Sequence, residues 1–472
     1  MALLSESASL TSLSVSEAGR LIAARKMSPV ELMDSVLERT AAVDETLHSY
    51  ITLLADKARD AARKAEAEIA AGRYRGPLHG IPYGVKDNYH VSGVRTTAGS
   101  RLMWDYVADE TSTLIERLDA AGAILLGKMN TWEYGTGTGE ILEDLPFPLA
   151  RNPWNIEHFT GGSSTGVGVG VAAGTALFGL GSDTGGSIRL PAAATGVVGM
   201  KATYGLVSRA GCLPNCWSLD VTGPLTWTVE DSAIVLEATA GADPRDPQSA
   251  GVAAGSYRAG LGAGVKGLVI GVVRDFGKDA PALAADVAAN LAKAEAALQA
   301  AGARIVTLAL PVPLTTYRGV SSVINWGESF SIHEKDFLER RHLMGKALRD
   351  KMTAGFMLRA ADFIAAQRQR RQLASATDAA ICTCDAVLTP CTFTTAPRFG
   401  DQEKLIEFTM HATTSIFNVS GHPAISIPTG FDADGLPTSA QIVGRYFDEA
   451  TVYRVAKVVE DALFDATRRP KL

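Results

Sequence analysis

The sequence predicts an α/β fold, a β-sheet covered by helices on both faces, and three observations carry that expectation. Helix-like stretches are followed more than once by short strand-like runs. Those runs are mostly apolar, as strands buried on two faces are. Gly and Pro punctuate the chain where the runs end. Alternation of this kind builds a layered α/β architecture.

The elements follow in chain order. Residues 11–71 read as helices. Ser14-Val15-Ser16-Glu17 starts one, and Ser28-Pro29-Val30-Glu31 combines a Ser cap, a Pro at the first helical position and an acid in the first turn. Residues 56–71, rich in Ala, Lys and Glu, form a solvent-facing helix. From Gly76 to Lys86, Gly and Pro break up short apolar runs, the texture of strand ends and buried turns. Residues 113–121 are helical and 123–128 a buried strand. The same order recurs at 284–301 and 304–308, with a further strand at 268–273. Residues 241–266 are a surface connection. A helical region at 333–343 and 360–380 precedes strands at 386–390, 423–428 and 438–444, and a last helix covers 449–465. These belong to one domain over residues 1–472: N-terminal helices at 11–71, a core at about 76–240, and a helical, pocket-shaping region at about 316–380.

With 472 residues, 46% hydrophobic and 20% charged, the chain buries a substantial core without staples. A net charge of -6 gives no electrostatic case for nucleic acid or an anionic membrane. The basic run Arg368-Gln369-Arg370-Arg371 reads as a solvated helix face. Five cysteines, an odd count, fit a reducing, cytoplasmic setting better than a disulfide framework. Cys212-x3-Cys216 and Cys382-x-Cys384 have no companion pair at zinc spacing and read as small buried side chains. The start, Met1 to Glu6, shows no signal sequence. The longest apolar stretch, 167–181, is too short and too Gly-rich for a membrane span.

The segment with chemistry in it is Thr160-Gly161-Gly162-Ser163-Ser164-Thr165-Gly166, a small-residue run, and then Ser182-Asp183-Thr184-Gly185-Gly186-Ser187-Ile188-Arg189. Two Gly-Gly-Ser turns bracket one apolar helix. A Gly-Gly pair ahead of a Ser aims successive N–H groups at one point, as a developing oxyanion requires. Small residues between the turns permit close packing of buried backbone. A nucleophilic Ser needs a base. None of the eight histidines has a recognisable triad context, whereas Lys86 ends an apolar approach, and burial makes a neutral amine available near pH 7. A lone Lys is by itself more often a solvated surface residue.

These residues resemble the amidase signature family. The likeness rests on Gly-Gly-Ser-Ser, on Gly-Ser-Asp-Thr-Gly-Gly-Ser-Ile-Arg, on Lys86 within Gly-Val-Lys-Asp-Asn, and on the spacing of 24 positions from Ser163 to Ser187. It spans nearly the whole chain, through Gly127-Lys128-Met129-Asn130 to Asn418-Val419-Ser420-Gly421-His422-Pro423. The resemblance implies a large mixed sheet of about eleven strands and a Ser–cis-Ser–Lys triad. Ser187 would be the nucleophile, Ser163, after a cis peptide bond, the proton bridge, and Lys86 the base. It further implies an oxyanion hole from the N–H groups of Thr184, Gly185, Gly186 and Ser187, with Asp183 and Arg189 holding that loop and Ser164 hydrogen-bonded near the triad. No metal or organic cofactor is implied. Tyr134, Gly135 and Thr136 are expected to line the substrate pocket. The aromatics Tyr134, Trp217, Trp326 and Phe330 tilt that pocket toward apolar or aryl groups.

Two motifs are set aside. Gly162-Ser163-Ser164-Thr165-Gly166 fits a nucleophile elbow centred on Ser164, but the segment before it is a poor strand. Gly262-Ala263-Gly264-Val265-Lys266-Gly267 precedes a strand, whereas a dinucleotide fingerprint follows one. The preferred expectation is therefore a free-standing serine hydrolase, monomer or homodimer. It would cleave amide-type bonds, with aryl esters and carbamates as further substrates, and have small molecules but no nucleic acid or membrane as partners. One alternative is the amidotransferase subunit that acts in a tRNA-dependent complex. It is placed second because Glu403-Lys404-Leu405-Ile406-Glu407-Phe408-Thr409 stands where that subunit usually has Asp-Pro-Leu-x-Met-Tyr. The other alternative is a non-catalytic binding protein of the same fold.

Overall fold

The structure is a computed structural model that describes residues 10–137 and 144–472. The signal-sequence reading at Met1 to Glu6 lies outside the described residues. Two capped helices open the chain. In α1 (Val15–Ala23) and α2 (Pro29–Leu47), Ser14 and Ser28 each accept a backbone N–H, and Glu17 and Glu31 reach back to complete capping boxes. Between α2 and α3 (Ala55–Ala70) lies an edge strand, β1 (Tyr50–Leu53), where the sequence predicted only helix. Its pairing with a distant strand supplies the order that four residues of local sequence do not announce.

The core follows as β2 (Pro82–Lys86), α4 (Thr113–Ala120), β3 (Ile124–Met129), α5 (Thr165–Ala173), β4 (Phe178–Asp183), α6 (Arg189–Thr195), β5 (Val198–Lys201), β6 (Val221–Thr226) and α7 (Val229–Thr239). The apolar run 167–181 is thus half helix and half strand, divided where Gly174 takes a φ of 76°. Then come β7 (Val269–Val273), α8 (Ala285–Ala300), β8 (Arg304–Leu308), α9 (Leu314–Arg340), α10 (Lys346–Phe356), α11 (Ala360–Ile381), β9 (Ala386–Pro390), α12 (Gln402–Met410), α13 (Thr414–Ser420), β10 (Ala424–Phe431), β11 (Pro437–Gly444) and α14 (Glu449–Leu463). The helical region starts at Leu314, close to the expected 316, though its first helix reaches well ahead of the 333–343 stretch, and it contains α10, which the sequence pattern did not reveal.

All these strands join one mixed sheet in the order β1-β3-β2-β4-β6-β5-β10-β11-β9-β7-β8. β2 runs parallel to both β3 and β4, and β7 parallel to β8 and β9, while the middle of the sheet is antiparallel. Successive side chains serve two separate cores, as the twofold period of a strand dictates. In β9, Ala386 and Leu388 enter the cluster that includes α8 and α14, while Val387 enters the one formed with α9, α11 and α13. β11 divides in the same way, with Ala440 and Ile442 on one side and Val443 on the other. Helices therefore cover both faces, as predicted. Among the described residues no helix is long and apolar enough to cross a membrane.

Close backbone packing places the Gly-Gly-Ser turns. α5 seats against the backbone just before β1 and just after β3 so tightly that a Cβ on Gly166 would come within 2.2 Å of the Ser49 carbonyl oxygen and 2.4 Å of the Asn130 nitrogen. Only glycine fits there.

Candidate active site

Lys86 is the last residue of β2 and is buried. Its Nζ donates to Ser163 Oγ at 2.7 Å and to Ser182 Oγ, on the neighbouring strand β4, at 2.9 Å. Burial lowers its pKa to about 8, against the opposing influence of Cys212, Asp220 and Asp183. The Cys212 thiol is itself pushed up to about 12 by burial, so it is neutral beside the amine. The lysine thus has two hydroxyls for partners and an amine that loses its proton easily.

The first Gly-Gly-Ser turn leads into α5. The Gly162–Ser163 peptide is cis, where the resemblance implies it. Ser164 N–H donates to the Ser187 carbonyl at 3.2 Å, which ties the two turns together. Ser164 Oγ donates to the Ser182 carbonyl at 3.3 Å and accepts from the Ser182 N–H at 3.4 Å. It braces β4. Ser187 is half-buried and opens into a cavity of about 480 Å³ whose wall includes Gly162, Thr184 and Gly185.

Asp183 and Arg189 fix the second turn. Arg189 Nε donates to Asp183 Oδ2 at 3.0 Å and Nη2 to Oδ1 at 2.9 Å, and both residues are fully buried. Burial would raise the Asp183 carboxyl, but Arg189, Asn418 and Lys201 hold it at about 2. Arg189 further donates to Gln441 Oε1 at 2.6 Å, to Asn418 Oδ1 at 2.6 Å and to the Thr414 carbonyl at 3.0 Å. Gln441, Asn418 and Thr414 come from the far end of the chain, and sequence reasoning missed their part. One expected oxyanion donor is occupied: Gly186 N–H donates to Asp183 Oδ1 at 2.8 Å and is not free for a ligand while that bond stands. The physical reason is the carboxylate itself, which sits under the turn and draws in the nearest amide.

The pocket residues divide between two cavities. Gly135 and Thr136 line the large one, and Tyr134 and Gly135 a second one of about 260 Å³ that also reaches Asn88 and Ser182. A Cβ on Gly135 would sit 3.3 Å from Ser163 Oγ, so glycine keeps this wall clear of that hydroxyl. Of the predicted aromatics, Trp326 lines the large cavity and Trp217 the second. Tyr134 packs edge-on to His333, and Phe330 packs with Phe337 and Phe356 instead of lining either. Three cations unforeseen in the sequence, Arg318 on α9 and Lys346 and Lys351 on α10, line the large cavity. A buried Lys128–Asp87 ion pair at 2.8 Å lies one strand away from Lys86.

The amidase family model matches residues 31–453. This chain belongs to the amidase family. It is therefore an amidase-type hydrolase, acting on C–N bonds. The A subunit of the glutamyl-tRNA(Gln) amidotransferase from Geobacillus kaustophilus is 36% identical over 97% of this amidase and 99% of its own length. Among solved structures, a peptide amidase bound to the competitive inhibitor chymostatin superposes with a TM-score of 0.84 at 30% identity, over 97% of this chain and 99% of that one. The A subunit of the glutamyl-tRNA(Gln) amidotransferase from Thermotoga maritima superposes with a TM-score of 0.82 at 28% identity, over 100% of both.

These relatives correct the sequence reading on two points. The preference for a free-standing hydrolase of small molecules is overturned, and so is a partner set limited to small molecules without nucleic acid. The preference rested on one segment, 403–409, which folds as the middle of α12. A local difference in one helix weighs less than identity that extends over the whole chain. The charge argument excluded only diffuse electrostatic attraction, which an assembly with other subunits does not need.

Proposed function

We propose that this amidase is the amide-cleaving subunit of a tRNA-dependent amidotransferase. The observation that carries the assembly is the full-length likeness to the A subunit of glutamyl-tRNA(Gln) amidotransferase. The one that supports the chemistry is the buried amine of Lys86, 2.7 Å from Ser163 Oγ.

In this reading Lys86, neutral before reaction, accepts a proton through Ser163 as Ser187 Oγ attacks the carbonyl of a carboxamide donor. The N–H groups of Thr184, Gly185 and Ser187 receive the oxyanion, and Asp183 and Arg189 hold their loop. Collapse of the intermediate breaks the C–N bond, and the proton held on Lys86 returns through Ser163 to the departing nitrogen. Ammonia and an acyl-Ser187 result. Water, deprotonated along the same path, then hydrolyses the ester and releases the acid. Ammonia passes to partner subunits, where it attacks the glutamyl-tRNA(Gln) side-chain carboxyl after ATP has activated it as an acyl phosphate, and phosphate leaves. Five cysteines without a disulfide accord with a cytoplasmic setting.

The test is reconstitution with the other subunits of such an amidotransferase, glutamyl-tRNA(Gln), a carboxamide donor, and ATP with magnesium to activate the glutamyl carboxyl. Formation of glutaminyl-tRNA that disappears in Ser187→Ala supports the proposal. Amide hydrolysis by the chain alone, with no transfer in any reconstituted mixture, overturns it.

A further inference from the structure

The helical region and the second Gly-Gly-Ser turn meet at one side chain. Asn215 lies in the loop between β5 and β6 and lines both cavities. Its Oδ1 accepts from Lys351 Nζ at 2.5 Å and from Ser329 Oγ at 2.9 Å. Its Nδ2 donates to Thr184 Oγ1 at 3.2 Å. Thr184 Oγ1 in turn donates to Asp220 Oδ1 at 2.6 Å. Asp220 Oδ2 closes the circuit by accepting the backbone N–H groups of Asn215 and Cys216 at 2.8 and 2.9 Å.

Every link in this path has the same polarity. It begins at a half-buried ammonium on α10, passes through a carboxamide and a hydroxyl, and ends at a buried carboxylate. The hydrogen bonds of Lys351 go to Asn215 and to Thr136 Oγ1, at 3.3 Å, so its opposite charge is met across the path. Burial lowers the Lys351 pKa to about 8, and Cys216 and Asp220 oppose that shift. Low dielectric makes such an aligned chain stiffer than its separate bonds. Thr184 stands in the middle, and its backbone belongs to the turn that presents Ser187.

We propose that Asn215 is a positioning residue that locks the oxyanion turn to the helical region through the path Lys351–Asn215–Thr184–Asp220. It touches no reacting atom. Its effect is on the aim of the Thr184 and Gly185 amides toward the developing oxyanion, where small displacements cost rate more than binding. The inference rests on the reading of Ser187 as nucleophile and is independent of the tRNA-dependent assembly.

The experiment measures phosphonylation by an alkyl fluorophosphonate, with the maximal rate and the half-saturating concentration taken separately. Asn215→Ala, Thr184→Val and the double variant form a cycle. Each single variant is expected to lower the maximal rate roughly tenfold to a hundredfold, with half-saturation changed less than about threefold. The double variant is expected to be no slower than the slower single one. Asn215→Asp keeps the acceptor for Lys351 but loses the donor to Thr184, so it should show the same slowing in a folded protein. Losses that multiply in the double variant overturn the proposal. So does a change confined to half-saturation, or an Asn215→Asp variant with the parent rate. Labelling that persists in Ser187→Ala would instead overturn the nucleophile assignment, whatever the cycle shows.

Discussion

Lys86 Nζ lies 2.7 Å from Ser163 Oγ with both side chains shielded from solvent, so a single hydrogen bond joins the amine to the first Gly-Gly-Ser turn. Lys86→Met keeps the length of the side chain and removes the basic nitrogen. Acylation at pH 7 is expected to fall by at least about a thousandfold, the scale on which triad members act. Labelling with a fluorophosphonate, followed by time course, reads it directly. A rate within tenfold of the parent would remove Lys86 from the base role.

The same amine sets the pH dependence. A base must be neutral to act, and the Lys86 pKa is lowered to about 8 by burial. The logarithm of kcat/KM should therefore climb with unit slope from pH 6 and level off near pH 8. A profile flat across that interval would mean that the proton goes elsewhere.

Stability moves with the same group. A Lys with a folded pKa below its unfolded value binds fewer protons when folded, so folding gains stability as pH rises between the two values. For Lys86 that window runs from about 8 to 10.5. Below it, burial of the amine costs about 3 kcal/mol. Lys86→Met should thus be more stable than the parent at pH 7, and the difference should shrink toward pH 10. Urea unfolding at the two pH values checks both the sign and the trend.

Asp183 and Arg189 test the loop. Asp183→Asn leaves a buried guanidinium without its counter-charge and should cost about 3–5 kcal/mol. In the parent, the Asp183 carboxyl is held at about 2, below its ordinary 3.8. Its contribution is present above pH 3.8 and is lost as pH falls through about 2. Denaturant midpoints of the two proteins should therefore differ most at neutral pH. A difference under about 1 kcal/mol there would mean that the ion pair is not what holds the turn.

Gly166→Ala probes the seat of α5. Its methyl group would press on the backbone at Ser49 and Asn130, neither of which has a flexible end to yield. A loss of at least about 2 kcal/mol is expected, in the range of overpacking in a dense core. Full stability in a thermal melt would show that α5 can shift outward at little cost.

Much of this site is legible in the amino-acid sequence. Glycine pairs ahead of serine, the spacing of Ser163 from Ser187 and the apolar approach to Lys86 all come from local sequence, and the fold brings Lys86 and the two turns together. What the sequence hid was assigned by distance. Ser182 is the neighbour of Asp183 in sequence, yet its contact with Lys86 depends on the parallel pairing of β2 with β4. Gln441 and Asn418 reach Arg189 from more than 200 residues away. Nothing local marks Gln441, and the resemblance at 418–423 does not say that Asn418 reaches Arg189.

By itself the sequence determined the layered α/β class, the capped N-terminal helices, most strands and the residues of the two turns. Periodicity, capping and glycine content are properties of neighbours along the chain, and they act before the chain closes. The tertiary structure alone decided that Lys86 is buried against hydroxyls, that Gly186 N–H is claimed by Asp183, and that Arg318 and Lys351 face the cavity. It also decided that Asn215 joins the helical region to the second Gly-Gly-Ser turn. Those outcomes depend on desolvation and on contacts across the sheet, which exist only once distant segments have packed.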